Sequence, residues 1–148
     1  MDSVSNQLLM GGIRGSVTGQ VILSDRRNWV VPTGVTSICV VAVGSGGFTV
    51  SGSTTGSGGG GGGALAYKNN ILVTPGETLE SIANAGLGYS GLLRGGIQLI
   101  KAVDGGGTST SIGGAGGSAL DCIGDAAFSG GSGGNGAPDS LQGGGNVS

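Results

Sequence analysis

The chain has 148 residues, of which 38 are Gly, roughly a quarter against a usual share of about 7%. Charged residues make up 9%, aromatic residues 3%, the formal net charge is −2, and there is no His. These figures exclude collagen, which needs Gly at every third position and abundant Pro. They also exclude a highly charged disordered chain and a basic nucleic-acid-binding surface.

Residues 1–20 read as a short N-terminal arm, and residues 21–148 as a single glycine-rich β domain. The start, with Asp2 and no early cation, lacks the pattern of a secretory signal. Met1 to Gly12 suits an arm that orders on a neighbour. Val21-Ile22-Leu23 is a short apolar run that predicts a strand, and Ser24 to Asn28 is a polar break. Trp29-Val30-Val31 reads as a strand ending at Pro32, with Thr33-Gly34 as a turn. Thr36 to Val43 is almost continuously apolar and predicts a buried strand. Its apolar core, Ile38 to Val43, is far shorter than the ~20 residues a membrane helix needs, so no membrane insertion is expected.

The glycine is unevenly placed. Residues 1–43 hold only Gly11, Gly12, Gly15, Gly19 and Gly34; the rest lie beyond Val43. A loop runs from Gly44 to Gly63 and ends in the unbroken run Gly58–Gly63. Ala64–Lys68 and Ile71–Val73 then predict two strand pieces around Asn69-Asn70. Thr74-Pro75-Gly76 is a second Pro-Gly turn. Glu77–Ala85 fits a helix or a strand, and Gly96–Val103 predicts a strand. The fold class expected is all-β, a β-sandwich or roll with Gly-rich loops.

Beyond Gly105 come blocks of three such as Gly113-Gly114-Ala115 and Ser129-Gly130-Gly131, then Gly143-Gly144-Gly145. Such a tail is either a flexible linker or a set of packed polyglycine helices of polyproline-II shape. Leu120, Ile123, Phe128 and Leu141 interrupt the glycine at intervals, which favours packing, since a linker has no use for them.

Catalytic chemistry finds little support. Without His there is no imidazole base. No Gly-Lys pair exists for a phosphate loop, and Thr49 stands where a dinucleotide fingerprint beginning at Gly44 needs its third Gly. Asp121 with Asp125, and Glu77 with Glu80, read as solvated surface carboxylates rather than acid–base pairs. Asp104, Asp121 and Asp125 form a weak oxygen set for a hard cation. No cofactor, metal or enzymatic activity is expected. Cys39 and Cys122 are expected as buried free thiols. Asn146-Val147-Ser148 matches a glycosylation sequon by chance.

Residues 28–47, NWVVPTGVTSICVVAVGSGG, followed by Ile71-Leu72-Val73-Thr74-Pro75-Gly76 and Gly blocks, occur in a distinctive order. This resembles the glycine-rich domain of tailed-phage tail and virion-surface proteins, including tail-fibre-tip adhesins. The resemblance covers about residues 21–145. It departs after Pro75, where Ser81 to Gly88 is less regular than the family's pattern. The resemblance implies a non-enzymatic structural protein on the virion surface, β-rich and a homotrimer, made in the host cytoplasm. The short arm before residue 21 leaves little room for an attachment domain. That favours a capsid decoration or cement protein clamping neighbouring subunits of the major capsid protein. The alternative is a tail or tail-fibre-tip adhesin, held by tail proteins, that meets a host surface receptor through its Gly-rich loops. A cellular glycine-rich surface protein is a third class. Arg26, Arg27 and Trp29 are the candidate partner contact, against a solvated turn with Trp29 in the core. Tyr67 and Tyr89 are the candidate receptor contacts.

Overall fold

The structure, a computed structural model, describes residues 19–49, 56–83, 86–109 and 111–136. Most of the predicted arm, Leu141, the 143–145 cluster and the sequon lie outside the described residues. The described residues form seven strands and one short 3-10 turn, Ala119–Asp121. The strands are β1 (Arg27–Val30), β2 (Ser37–Val43), β3 (Leu65–Leu72), β4 (Thr78–Ile82), β5 (Tyr89–Arg94), β6 (Ile97–Val103) and β7 (Ala126–Phe128). They build two antiparallel sheets, ordered β1-β4-β5-β6 and β2-β3-β7. The fold is all-β. Among the described residues no helix is long and apolar enough to cross a membrane.

One hydrophobic core draws on both sheets: Leu79, Leu92, Ile100 and Ala102 from the first, and Ala42, Ala66 and Ile71 from the second. Leu79, Ile100 and Val31 are the largest fully buried side chains. Trp29, opposite Leu79 in the β1–β4 register, packs half-buried against this core. The two Pro-Gly motifs meet: Val31 N–H donates to the Glu77 carbonyl and Gly76 N–H donates to the Val31 carbonyl, both at 2.8 Å. Gly34 and Gly76 take φ of 85° and 83°, where a side chain is strained, so each turn needs its glycine.

Several local expectations change. Val21–Leu23 forms no strand. β3 is continuous through Asn69-Asn70, because Asn70 takes a φ of 53° and the β2–β3 register shifts between Ile38 and Val40. The ambiguous segment after Gly76 is strand β4, with Leu79, Ser81 and Ile82 buried. β2 is not buried on both faces: Val41 and Val43 are 64% and 58% exposed. Cys39 is likewise exposed and Cys122 half-buried, both as free thiols, against the expectation of two buried ones. The cause is the strand's period of two: Ile38, Val40 and Ala42 face the core, so Cys39, Val41 and Val43 face away.

Arg94 at the end of β5 ties the sheets together. It pairs with Glu77 and donates from Nη2 to the Leu72 carbonyl of β3 at 2.7 Å. The Arg94 guanidinium, and then the Thr74 N–H, hold the Glu77 carboxyl below its ordinary 4.5. A depressed folded-state pKa contributes stability above the unfolded value and loses it as pH falls through the folded one. Thermal stability is therefore expected to fall as the pH drops through and below the ordinary carboxylate range, and Glu77→Gln to flatten part of that slope. Melting temperature measured against pH for both chains checks this.

Candidate functional site

Five extended segments among the described residues leave one end of the two sheets: 44–49, 56–64, 104–109, 111–118 and 129–136. They carry no strand ladder apart from the isolated Thr49–Thr108 bridge, yet their backbones bond in steps of three. Gly59 and Gly62 donate to Gly134 and Gly131, each at 2.8 Å. Gly114 and Gly117 donate to Gly59 and Gly62 at 2.8 and 2.9 Å. Gly61 and Ala64 donate to Gly106 and Val103 at 2.9 and 2.8 Å, and accept from Gly47 and Gly44. Gly130, Gly133 and Gly136 donate to Gly117, Gly114 and Ser111 at 2.9, 2.8 and 2.7 Å.

This period accounts for two of the three glycine rows in the run Gly58–Gly63. Segment 56–64 lies among the other four. A Cβ on Gly58 or Gly61 would overlap the carbonyl of Ile112 or Ala115. One on Gly60 or Gly63 would overlap that of Gly47 or Gly44. Gly59 and Gly62 form the third row, which is exposed and meets the amides of Gly134 and Gly131 only at 3.4 and 3.5 Å, ordinary contact that leaves room for a Cβ. Segment 111–118 likewise needs glycine in two rows, and 129–136 in one. In 111–118 the row Ile112, Ala115 faces outward, and in 129–136 Ser129, Ser132 and Asn135 are exposed. The Gly-Gly-X blocks are thus two rows of glycine and one row of side chains in solvent.

Away from the sheets, these segments end in one cluster. Thr108 N–H donates to the Phe48 carbonyl at 3.0 Å, and Thr108 Oγ1 donates to the Ile112 carbonyl at 2.6 Å. Gly113 N–H donates to Asn135 Oδ1 at 2.8 Å. Phe48 and Ile112 are 73% and 68% exposed here, beside the hydroxyls of Thr49, Thr108 and Ser111. No charged residue lies in the described parts of 44–49, 56–64, 105–118 or 129–136. The far end therefore offers apolar contact and neutral hydrogen bonding. Sequence reasoning missed Phe48 and Ile112; their signal is a large apolar residue flanking a glycine run.

The sequence-predicted residues lie elsewhere. Arg26 donates from Nε to Glu80 Oε1 at 2.8 Å, Arg27 pairs with Asp25, and both arginines are largely exposed. The Arg27 hydrogen bond lowers the Asp25 carboxyl and raises the guanidinium. Trp29 points into the core. Tyr67 is on β3, level with Val41 and Ala126, and Tyr89 is on β5 of the other sheet, with Lys101 Nζ 5.9 Å from its ring centroid. The two tyrosines thus stand on different sheets. Asp104 Oδ1 accepts from the Ser45 N–H at 2.7 Å and Asp125 Oδ2 from the Asn69 N–H at 2.8 Å, so both brace backbone. Among the described residues no group of three His, Cys, Asp or Glu is placed to hold a metal ion.

An open apolar cavity of about 690 Å³ runs beside β2, between it and β4–β5, with Gly19–Leu23 along one side. No charged residue lines it. The chain matches no family model, no curated protein and no solved structure.

Proposed function

We propose that this chain is a non-enzymatic structural protein of a tailed-phage virion surface, in which a β base carries a rod of packed glycine helices. The five segments are read as polyproline-II-like helices, which have three residues per turn and no internal hydrogen bonds. The three-residue step of their mutual bonds supports this, as do their closely approaching backbones. The two facing sheets are read as a sandwich. The observation that carries the functional reading is the exposed Phe48 and Ile112 on the far end of that rod. An uncharged end with an aromatic ring suits a neutral receptor surface, such as a glycan, met as a tail or tail-fibre-tip adhesin. The protein acts as a homotrimer held by tail proteins, without cofactor, nucleic acid or membrane insertion.

A second reading is a capsid decoration protein clamped to the major capsid protein. The uncharged cavity beside β2 favours it, because an apolar neighbour strand would fit there. Purified chain is expected to block phage adsorption to host cells, and Phe48→Ala to weaken that block about tenfold. Hundreds of copies per virion with no effect on adsorption would replace the adhesin reading with the decoration one.

A further inference from the structure

The two sheets are joined along one side and stand apart along the other. On the joined side Ile123 and Lys101 of β6 exchange backbone bonds at 2.9 Å, while β7 adds to β3. On the other side β2 is the edge of a three-strand sheet that faces four strands. It packs on β5 and β6, so the apolar groove opens past it toward β4. Trp29, Val35, Ile38 and Val40 line this groove and stay only half-buried against the core. The bond from Gly44 to Ala64 sets the phase of the β2–β3 ladder. The N–H groups of Val41 and Val43 therefore point away from β3, and neither bonds to another described residue. The groove thus has the place of one further strand.

We propose that residues 13–18 of this same chain fill the groove, as a strand added to the free edge of β2. The described chain begins there: Gly19–Leu23 form one wall of the groove. Val21 and Leu23 are half-buried while Gln20 and Ile22 are exposed, the two-residue alternation of a strand covered on one face. Ile13 and Val17 share the parity of Val21, with only Gly15 and Gly19 between them, so one apolar face runs from Ile13 to Leu23. Arg14, Ser16 and Thr18 have the outward parity, so no charge enters the uncharged groove. The length fits as well. Six extended residues span about 20 Å, and β2 from Ser37 to Val43 spans about 23 Å. A segment tethered at the wall of the groove also has a high effective concentration there. It competes with a strand of the major capsid protein for the same edge.

Amide exchange of the full chain, read residue by residue at two protein concentrations, tests this. The Val41 and Val43 amides are expected to exchange at least about a hundredfold more slowly than unstructured amides. Val17→Asp is expected to remove about tenfold or more of that protection and to move Trp29 emission to the red, while the β5 and β6 amides stay as slow as before. Ser16→Asp, on the outward parity, should change neither reading. Fast Val41 and Val43 amides in the unaltered chain overturn the proposal. So does protection that Val17→Asp leaves intact, or that Ser16→Asp removes equally. Protection that grows with protein concentration gives the groove to a second copy and overturns it too.

Discussion

Gly61→Ala is expected to be among the most destabilising single-methyl changes in this protein, lowering stability by at least about 3 kcal/mol. Its Cβ would fall far inside the 3.0 Å below which real Cβ atoms are essentially never found, against the carbonyl of Ala115. The obstacle is backbone, so no side chain can rotate away. Neither can the segment slide, because Gly61 also donates to Gly106 and accepts from Gly47. Gly131→Ala is the matched control. Nothing lies within 4 Å of its Cβ, and its φ is not in the left-handed region. Its effect should be neutral or stabilising by up to about 1 kcal/mol, since Ala restricts the unfolded chain. Thermal and urea unfolding of the two variants checks the contrast. Equal melting temperatures would show that the segments do not pack as described.

Leu79→Ala is expected to cost about 2–5 kcal/mol. The core is built largely from small side chains, among them Ala42, Ala66 and Ala102, all buried. Leu79 and Ile100, both 0% exposed, supply much of its volume. Leu79 lies on β4 between β1 and β5, with Trp29 as its register partner. A cavity there has few large neighbours able to collapse into it. Trp29 fluorescence should shift to the red in the variant, and urea unfolding should give the free-energy loss. A loss below about 1 kcal/mol would mean the core repacks freely.

Strands with strong patterns were legible in the sequence. β2 and β6 follow from runs of Val, Ile and Leu, and the turns at Gly34 and Gly76 from their Pro-Gly chemistry. β5 was not legible, because Ser90 and Gly91 break its apolar pattern. Yet Gly91 is needed there, since its Cβ would overlap the Ile100 carbonyl of β6. β7 was hidden because three residues next to glycine carry no period. The burial of Cys39 was misjudged because a continuous apolar run is the same string whether both faces are covered or one. The three-residue glycine rows were visible in 113–118 and 129–136. They were invisible in Gly58–Gly63, where every row is glycine and no side chain marks the register. The cluster around Phe48 and Ile112 could not be read, because those residues meet only through bonds between distant segments.

The reciprocal bonding of the glycine segments also orders events during synthesis. Segment 56–64 emerges from the ribosome early, but it receives its partners 104–109, 111–118 and 129–136 one after another. Until Gly131 and Gly134 have been made, the amides of Gly62 and Gly59 have no protein acceptor. The two sheets face a similar delay, since β3 gains β7 only at residues 126–128. Nearly every bond between the glycine segments joins positions far apart in the chain, which predicts slow folding. The nascent protein therefore waits for almost its last described residues before its earliest glycine run can close.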